Sequence, residues 1–177
     1  MAAPNKSLIA YFSRKGNNYV GGKIVNLATG NTELAAQMIQ ELTGGDLFRI
    51  DTVKTYPSDY EETTDVARQE LRQNARPELT GRLDNMRDYD VVFLGYPNWW
   101  GTMPMAVYTF LEAYDFSGKT IVPFCTHEGS GMGHSESDVR KLCPGATVRK
   151  GLAITGGSVA RAGNQIAAWL RESGVSE

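Results

Sequence analysis

The sequence is poor in the residues that announce a metal centre, a disulfide scaffold or a membrane span. It has two cysteines, Cys125 and Cys143, and two histidines, His127 and His134. Two thiols in 177 residues read as ordinary reduced side chains rather than a disulfide framework. No apolar run approaches the length of a membrane-crossing helix, so no membrane span is expected. The N-terminal MAAPNKSLIAYF holds only the strand-length Leu8–Phe12 before Ser-Arg-Lys, so no leader is expected and the cytoplasm is the expected compartment. Charge of one sign is also missing. A net charge of −2 and a pI near 5.7 exclude a strongly basic nucleic-acid binder. The same balance falls short of the heavy acidity of a small protein that docks on basic partners. Repeats, low-complexity tracts and linkers are absent, and one domain over residues 1–177 is expected.

What is present is an alternation of apolar runs and helical patterns. Leu8–Phe12, Val91–Gly95 and Thr120–Phe124 suit buried parallel strands, with Leu47–Ile50 and Val148–Ile154 as weaker candidates. Helices are predicted over Glu33–Leu42, Asp59–Asn74, Pro104–Tyr114, Ser135–Leu142 and Gln165–Leu170. In the first, Leu34, Met38, Ile39 and Leu42 share one face. In the third, proline stands at a first-turn position. Alternation of this kind predicts an α/β fold, an open parallel sheet with helices on both faces. Ligands in that architecture bind beyond the C-terminal strand ends, here after Phe12, Gly95 and Cys125.

Two similar motifs follow Phe12, Gly16-Asn17-Asn18 and Gly30-Asn31-Thr32. An anion site needs free helix N-terminal amides, a small residue for close approach and nearby hydroxyls. Thr29-Gly30-Asn31-Thr32 meets these needs because an amphipathic helix follows it; an ordinary helix cap is the plainer alternative. Gly16-Asn17-Asn18 precedes Tyr19-Val20-Gly21-Gly22-Lys23-Ile24-Val25, which reads as a hairpin turning at the glycine pair. No lysine follows Gly30 until Lys54, so there is no triphosphate loop.

The second loop, Gly95 to Pro104, carries Trp99 and Trp100. Adjacent tryptophans cannot easily both face one core, and a planar aromatic ligand would give them a partner. Packing of one into the core, with the other capping a helix, is the alternative. The third loop, Cys125 to His134, holds three closely spaced glycines that let backbone approach a ligand. In it His127 and Glu128 are candidates for a second substrate or for proton handling. Cys125, His127, Glu128, His134 and Cys143 match no metal-ligand spacing, so no metal is expected. Cys125, at a strand end, reads as a small hydrophobe rather than a nucleophile.

Tyr11-Phe12-Ser13-Arg14, Gly30-Asn31-Thr32-Glu33, Tyr96 to Pro104 and Cys125 to Gly131, in this order, resemble the flavodoxin-like FMN-binding family. The resemblance covers nearly the whole chain and identifies a flavodoxin subgroup with an inserted hairpin before the phosphate loop. It implies a flavodoxin-like three-layer sandwich with a five-stranded parallel sheet in order 2-1-3-4-5, and FMN as cofactor. By the same resemblance Ser13, Thr29, Gly30, Asn31 and Thr32 hold the phosphate. Pro97, Asn98, Trp99, Trp100, Gly101 and Thr102 line one side of the flavin ring. Thr126, His127, Glu128, Gly129, Ser130 and Gly131 line the other. Flavin-mediated electron transfer to a redox partner protein is the implied function. An FMN-dependent NAD(P)H/quinone oxidoreductase, with His127 as proton donor, is the alternative. A Gly101 carbonyl free to turn toward the ring would favour one-electron transfer. Readings outside the redox class are a ligand-binding module and a metal hydrolase built on the third loop. The segment from Asn17 to Ala28 either shields the phosphate or presents a partner surface. The Tyr56–Tyr60 segment gives no functional signal; its aromatics are expected to cover a sheet face, with shielding of a site edge as the alternative.

Overall fold

The computed structural model describes residues 6–175. The elements in chain order are β1 (Ser7–Tyr11), β2 (Gly16–Val20), β3 (Lys23–Leu27), α1 (Asn31–Thr43), β4 (Asp46–Arg49), α2 (Tyr60–Arg72) and β5 (Val91–Pro97). They continue with α3 (Met105–Ala113), β6 (Thr120–His127), α4 (Ser135–Leu142), β7 (Thr147–Val148), β8 (Leu152–Thr155) and α5 (Gly163–Ser173).

Strands β4, β1, β5 and β6 pair in parallel in that order, and β7 and β8 both pair with the outer edge of β6. This is the expected order 2-1-3-4-5 of a flavodoxin-like sandwich, except that the fifth position is filled by two short strands. The break has a cause in β6. Pro123 has no N–H to give the ladder. Arg149 N–H still reaches the Ile121 carbonyl at 2.9 Å, and the register then slips by one residue before Leu152 meets Phe124.

Alternating side chains of the buried strands build a core on each face of the sheet. Leu8, Ala10, Val92, Leu94, Ile121 and Cys125 face Val107, Phe110 and Leu111 of α3 and Val139 of α4. Ile9, Tyr11, Val91, Phe93, Val122 and Phe124 face α1 and α5, where Trp169 packs edge-on against Phe93 and Phe124. Near-complete burial of both faces explains why these strands read as unbroken apolar runs.

Helix α1 begins two residues earlier than predicted, and its tightest packing runs through Ala35, Ala36 and Ile39. Small side chains allow the helix backbone to approach the sheet. Leu34 and Met38 pack at the margin of that contact, while Leu42, predicted for the same face, is 51% exposed. Helix α2 is capped by Asp59, whose carboxylate accepts the Glu62 N–H at 2.9 Å.

The insertion between β1 and α1 is the predicted hairpin. β2 and β3 pair antiparallel from Gly16–Leu27 to Val20–Lys23, and Gly21 and Gly22 turn with φ of 60° and 88°. It is a separate two-stranded sheet lying over the C-terminal edge of the main one.

Candidate functional site

The C-terminal ends of β1, β5 and β6 open into a cleft, and the N-terminus of α1 closes one end of it. Gly30 precedes the helix in extended conformation, so its need is for space rather than for a special backbone angle. A Cβ there would overlap the Ser13 Oγ and the Arg14 carbonyl. The Ser13 hydroxyl accepts the Glu33 N–H at 3.1 Å, and the Leu34 N–H reaches the Gly30 carbonyl at 3.2 Å. The amides of Asn31 and Thr32 have no intramolecular partner among the described residues. Two free N–H groups at the positive end of a 13-residue helix suit an anion. Glu33 would oppose that anion, but Arg49 pairs with it at 3.2 Å and also donates to the Ser13 carbonyl at 3.0 Å.

Arg14 adds a second cation at this end. Its Nε and Nη2 donate to the carbonyls of Asn17 (3.2 Å) and Ser58 (3.0 Å), tying the hairpin to the approach to α2. Burial lowers its pKa against the pull of Asp59 and Tyr60, and the guanidinium stays charged. The hairpin is fixed from the other side by Glu128, which accepts the N–H of Gly21 at 3.3 Å and of Gly157 at 3.1 Å. Asn18 and Tyr19 thereby face the cleft, with the Tyr19 ring stacked on Tyr60 of α2 at 6.2 Å.

The cleft has two connected parts. The part beside α1, about 310 Å³, is lined by Asn31, Thr32, Pro97, Thr126, His127 and Glu128, among others. The adjoining part, about 350 Å³, lies against Thr63, Thr64 and Ala67 of α2 and against Trp100 and Gly101. Arg14, Asn18, Tyr60, Asn98, Trp99 and Ser130 border both. These volumes lie in the range of small-molecule and cofactor sites.

The two tryptophans part company in a tight turn. Trp99 and Thr102 exchange backbone hydrogen bonds at 2.9 and 3.3 Å, while Trp100 and Gly101 have φ of 57° and 86°. Trp99 packs edge-on against Phe12 and Tyr56, each at 5.1 Å between centroids, and presents its remaining surface to the cleft. Trp100 is 48% exposed; its Nε1 donates to the Thr64 carbonyl at 2.9 Å and Arg68 lies 5.3 Å from its ring. One tryptophan thus joins the core's edge and the other bridges to a helix, and both still border the cleft.

On the third loop, His127 accepts the Gly129 N–H at Nδ1, 2.9 Å away. The neutral ring therefore carries its proton on Nε2, available to a neighbour in the cleft. Thr126 and Thr32 share a buried hydroxyl pair at 2.8 Å that joins this loop to α1.

Of the predicted site residues, Asn31, Thr32, Pro97, Asn98, Trp99, Trp100, Gly101, Thr126, His127, Glu128 and Ser130 border the cleft. Ser13 and Gly30 are buried beneath the α1 N-terminus and shape it. Thr29, Gly129 and Gly131 stand outside the cleft wall, the last accepting the Asn98 side-chain amide at 2.8 Å. Thr102 is fully buried, its hydroxyl 2.5 Å from Asp138. The Gly101 carbonyl, expected to turn freely, already accepts the His134 N–H at 2.8 Å.

Burial raises the Cys125 thiol to about 12 and the Cys143 thiol to about 11, which keeps both in the unreactive thiol form. Among the described residues, no three His, Cys, Asp or Glu side chains are grouped as a metal would require. Arg14, Asn18, Tyr19, Tyr60 and Gly156 also border the cleft and were not among the predicted site residues. The Tyr-Pro-Ser-Asp-Tyr segment does more than cover the sheet: Tyr56 supports Trp99 and Tyr60 lines the cleft wall.

A parallel sheet whose strand ends meet a helix N-terminus and an aromatic cleft defines an α/β protein built for an anionic, aromatic small molecule. Residues 6–173 match the flavodoxin family model, and the chain belongs to that family. A flavoprotein from Bacteroides eggerthii is 32% identical over 96% of this chain and 98% of its own, with a TM-score of 0.75. A Bacteroides uniformis flavoprotein is 29% identical over 96% and 99%, with a TM-score of 0.76. The Lactobacillus acidophilus flavoprotein, solved in complex with FMN, shares the fold at 22% identity over 89% and 97%, with a TM-score of 0.65. Comparison with curated proteins gives no match.

Proposed function

We propose that this chain binds FMN in the cleft and works as a flavodoxin-type redox protein, a single domain of the cytoplasm. The observation that carries the reading is the pair of free amides at Asn31 and Thr32, continuous with an aromatic-lined cleft of suitable size. The family supports it, as does the FMN complex of the Lactobacillus acidophilus relative. The absence of a residue able to fill the Gly30 position is part of the fit, because any side chain there would displace Ser13.

Each part of the site has a task. The amides of Asn31 and Thr32, with Arg14 nearby, would hold the phosphate, and Ser13, Thr29 and Gly30 would shape its seat. Pro97 to Gly101 would form one wall for the ring, and Thr126, His127, Glu128 and Ser130 the other. Trp99, Trp100, Tyr19 and Tyr60 exclude water from that space. Bound FMN supplies the electron-accepting ring. His127 Nε2–H can donate a hydrogen bond at the cleft wall.

The runner-up, an NAD(P)H/quinone oxidoreductase, has one observation in its favour. The part of the cleft against α2 adds about 350 Å³, room for a second planar molecule. Titration of the apoprotein with FMN, followed by visible absorbance, tests the first reading; a colourless protein after dialysis contradicts it. Turnover of NAD(P)H with a quinone would select the oxidoreductase, and its absence would leave a carrier for a redox partner protein.

A further inference from the structure

A second cavity of about 650 Å³ lies against another part of α2 and has no lining residue in common with the cleft. The chain after β4 and the chain after α2 supply its other walls, and the two pair with each other. The Val53 N–H reaches the Glu78 carbonyl at 2.9 Å, and the Thr80 N–H reaches the Asp51 carbonyl at 3.0 Å. Tyr56 separates the two spaces. Its ring packs edge-on against Trp99 of the cleft at 5.1 Å, and its hydroxyl donates to Glu70 Oε2 at 3.2 Å.

Val53, Pro57, Val66, Ala75 and Pro77 give this cavity an apolar lining. Its charges balance, with Lys54 and Arg76 set against Glu70 and Glu78. Arg76 is also paired with Glu112 at 2.9 Å, which leaves little of its charge for a ligand. The end of α2 brings Arg76 back toward Glu70. Asn74 has φ of 51°, and the Ala75 N–H returns to the Glu70 carbonyl at 2.9 Å.

Two polar atoms of these lining residues are closed to solvent and have no partner among the described residues. They are Glu70 Oε1, which lacks a donor, and Arg76 Nε, which lacks an acceptor. Buried atoms left in this way carry a desolvation cost that a partner removes. Burial also holds the Glu70 carboxyl above its ordinary range, against the Tyr56 hydrogen bond and the field of Lys54. Both residues line the cavity, so a turn of either side chain brings its orphan atom to a ligand.

We propose that this cavity is a second binding site, separate from the cleft, for a small neutral molecule with a carboxamide or lactam edge. Such an edge carries both missing groups, an N–H for Glu70 Oε1 and a carbonyl for Arg76 Nε. A carboxylate brings acceptors alone and sets one of them against Glu70. An ammonium brings donors alone and sets its charge against Lys54 and Arg76. The apolar lining suits a flat ring body, so aromatic amides and nucleobase-like heterocycles are the class that fits. The site does not rest on the FMN reading, since every group in it belongs to the apoprotein.

The test is a titration of the ¹⁵N-labelled apoprotein with benzamide, benzoate and benzylamine, followed by NMR. Benzamide should give saturable shifts at the Arg76 Nε–H and at the Gln69 and Gln73 side-chain amides, with a Kd on the order of 1 mM for so small a probe. Benzoate and benzylamine should bind at least about tenfold more weakly. Arg76→Lys keeps a cation beside Glu112 but removes the Nε–H, and should weaken benzamide about tenfold. Val66→Phe fills the cavity and should abolish the shifts while core amides such as Val92 and Ile121 keep their positions. Absence of saturable shifts, or shifts confined to the cleft at Asn31 and Thr32, would overturn the site. Equal binding of benzoate, or an Arg76→Lys variant that binds as well as wild type, would overturn the ligand class. None of these results bears on FMN uptake, which is measured separately.

Discussion

At Trp100 the backbone holds a bulky side chain in the left-handed region, where a residue other than glycine or asparagine costs about 1–2 kcal/mol. Such strain persists where surrounding contacts impose it, and here the contacts run to Thr64 and Arg68 on α2. Asparagine tolerates this conformation, so Trp100→Asn should leave apoprotein stability within about 1 kcal/mol of wild type while weakening FMN. Urea unfolding and FMN titration of the same variant separate the two effects. Gly30 is the opposite case. A methyl group there collides with Ser13 and Arg14, so Gly30→Ala should cost about 1–3 kcal/mol and sharply reduce FMN affinity. Retention of full affinity would show that the α1 seat is not the phosphate site. Asp138 gives the pH prediction. Its carboxyl is lowered in the fold, so its contribution is present above the unfolded value and lost as pH falls through the lower folded one. Wild type should therefore exceed Asp138→Asn in unfolding midpoint at neutral pH. The difference should vanish only in acid below the ordinary carboxylate range.

At the scale of elements, the inserted hairpin forms part of the cleft wall. Glu128 ties its turn to the backbone before α5, and Tyr19 stacks on α2 from the same strand that carries Asn18 into the cleft. Glu128→Ala should free Gly21 and Gly157, so that protease cuts the hairpin faster while the sheet core stays intact. Equal cleavage rates would show that the latch contributes nothing. This hairpin was legible in the sequence because a Gly-Gly turn between β-prone pairs has few other uses. The parallel strands were legible for a similar reason, since burial on both faces leaves unbroken apolar runs. The split of the fifth strand was not, because it depends on a missing N–H at Pro123, in a neighbour distant in the chain. Asp138 looked like first-turn charge on a short helix. Its role exists only once folding brings Thr102 and Tyr108 to it, a contact no local pattern records.

Across the whole molecule, the sheet order places the ends of β1, β5 and β6 side by side and so assembles three loops that are far apart in sequence. The motifs mark where the cleft lies; the packing decides which of their residues face it. Thr102 and Gly30 serve by supporting the cleft, whereas Tyr60 reaches it from a helix whose sequence carries no recognisable motif. Cys125 and Cys143 belong to the core, and neither thiol should react with a maleimide at neutral pH until the protein unfolds. The claim on which all of this turns is that the free amides of Asn31 and Thr32 hold a flavin phosphate. The most direct measurement is a paired titration of the apoprotein with FMN and with riboflavin, the same ring without phosphate. The expected result is a one-to-one yellow complex with FMN and an affinity for riboflavin lower by a factor on the order of a hundred. Equal affinity for the two, or uptake of neither, would contradict it.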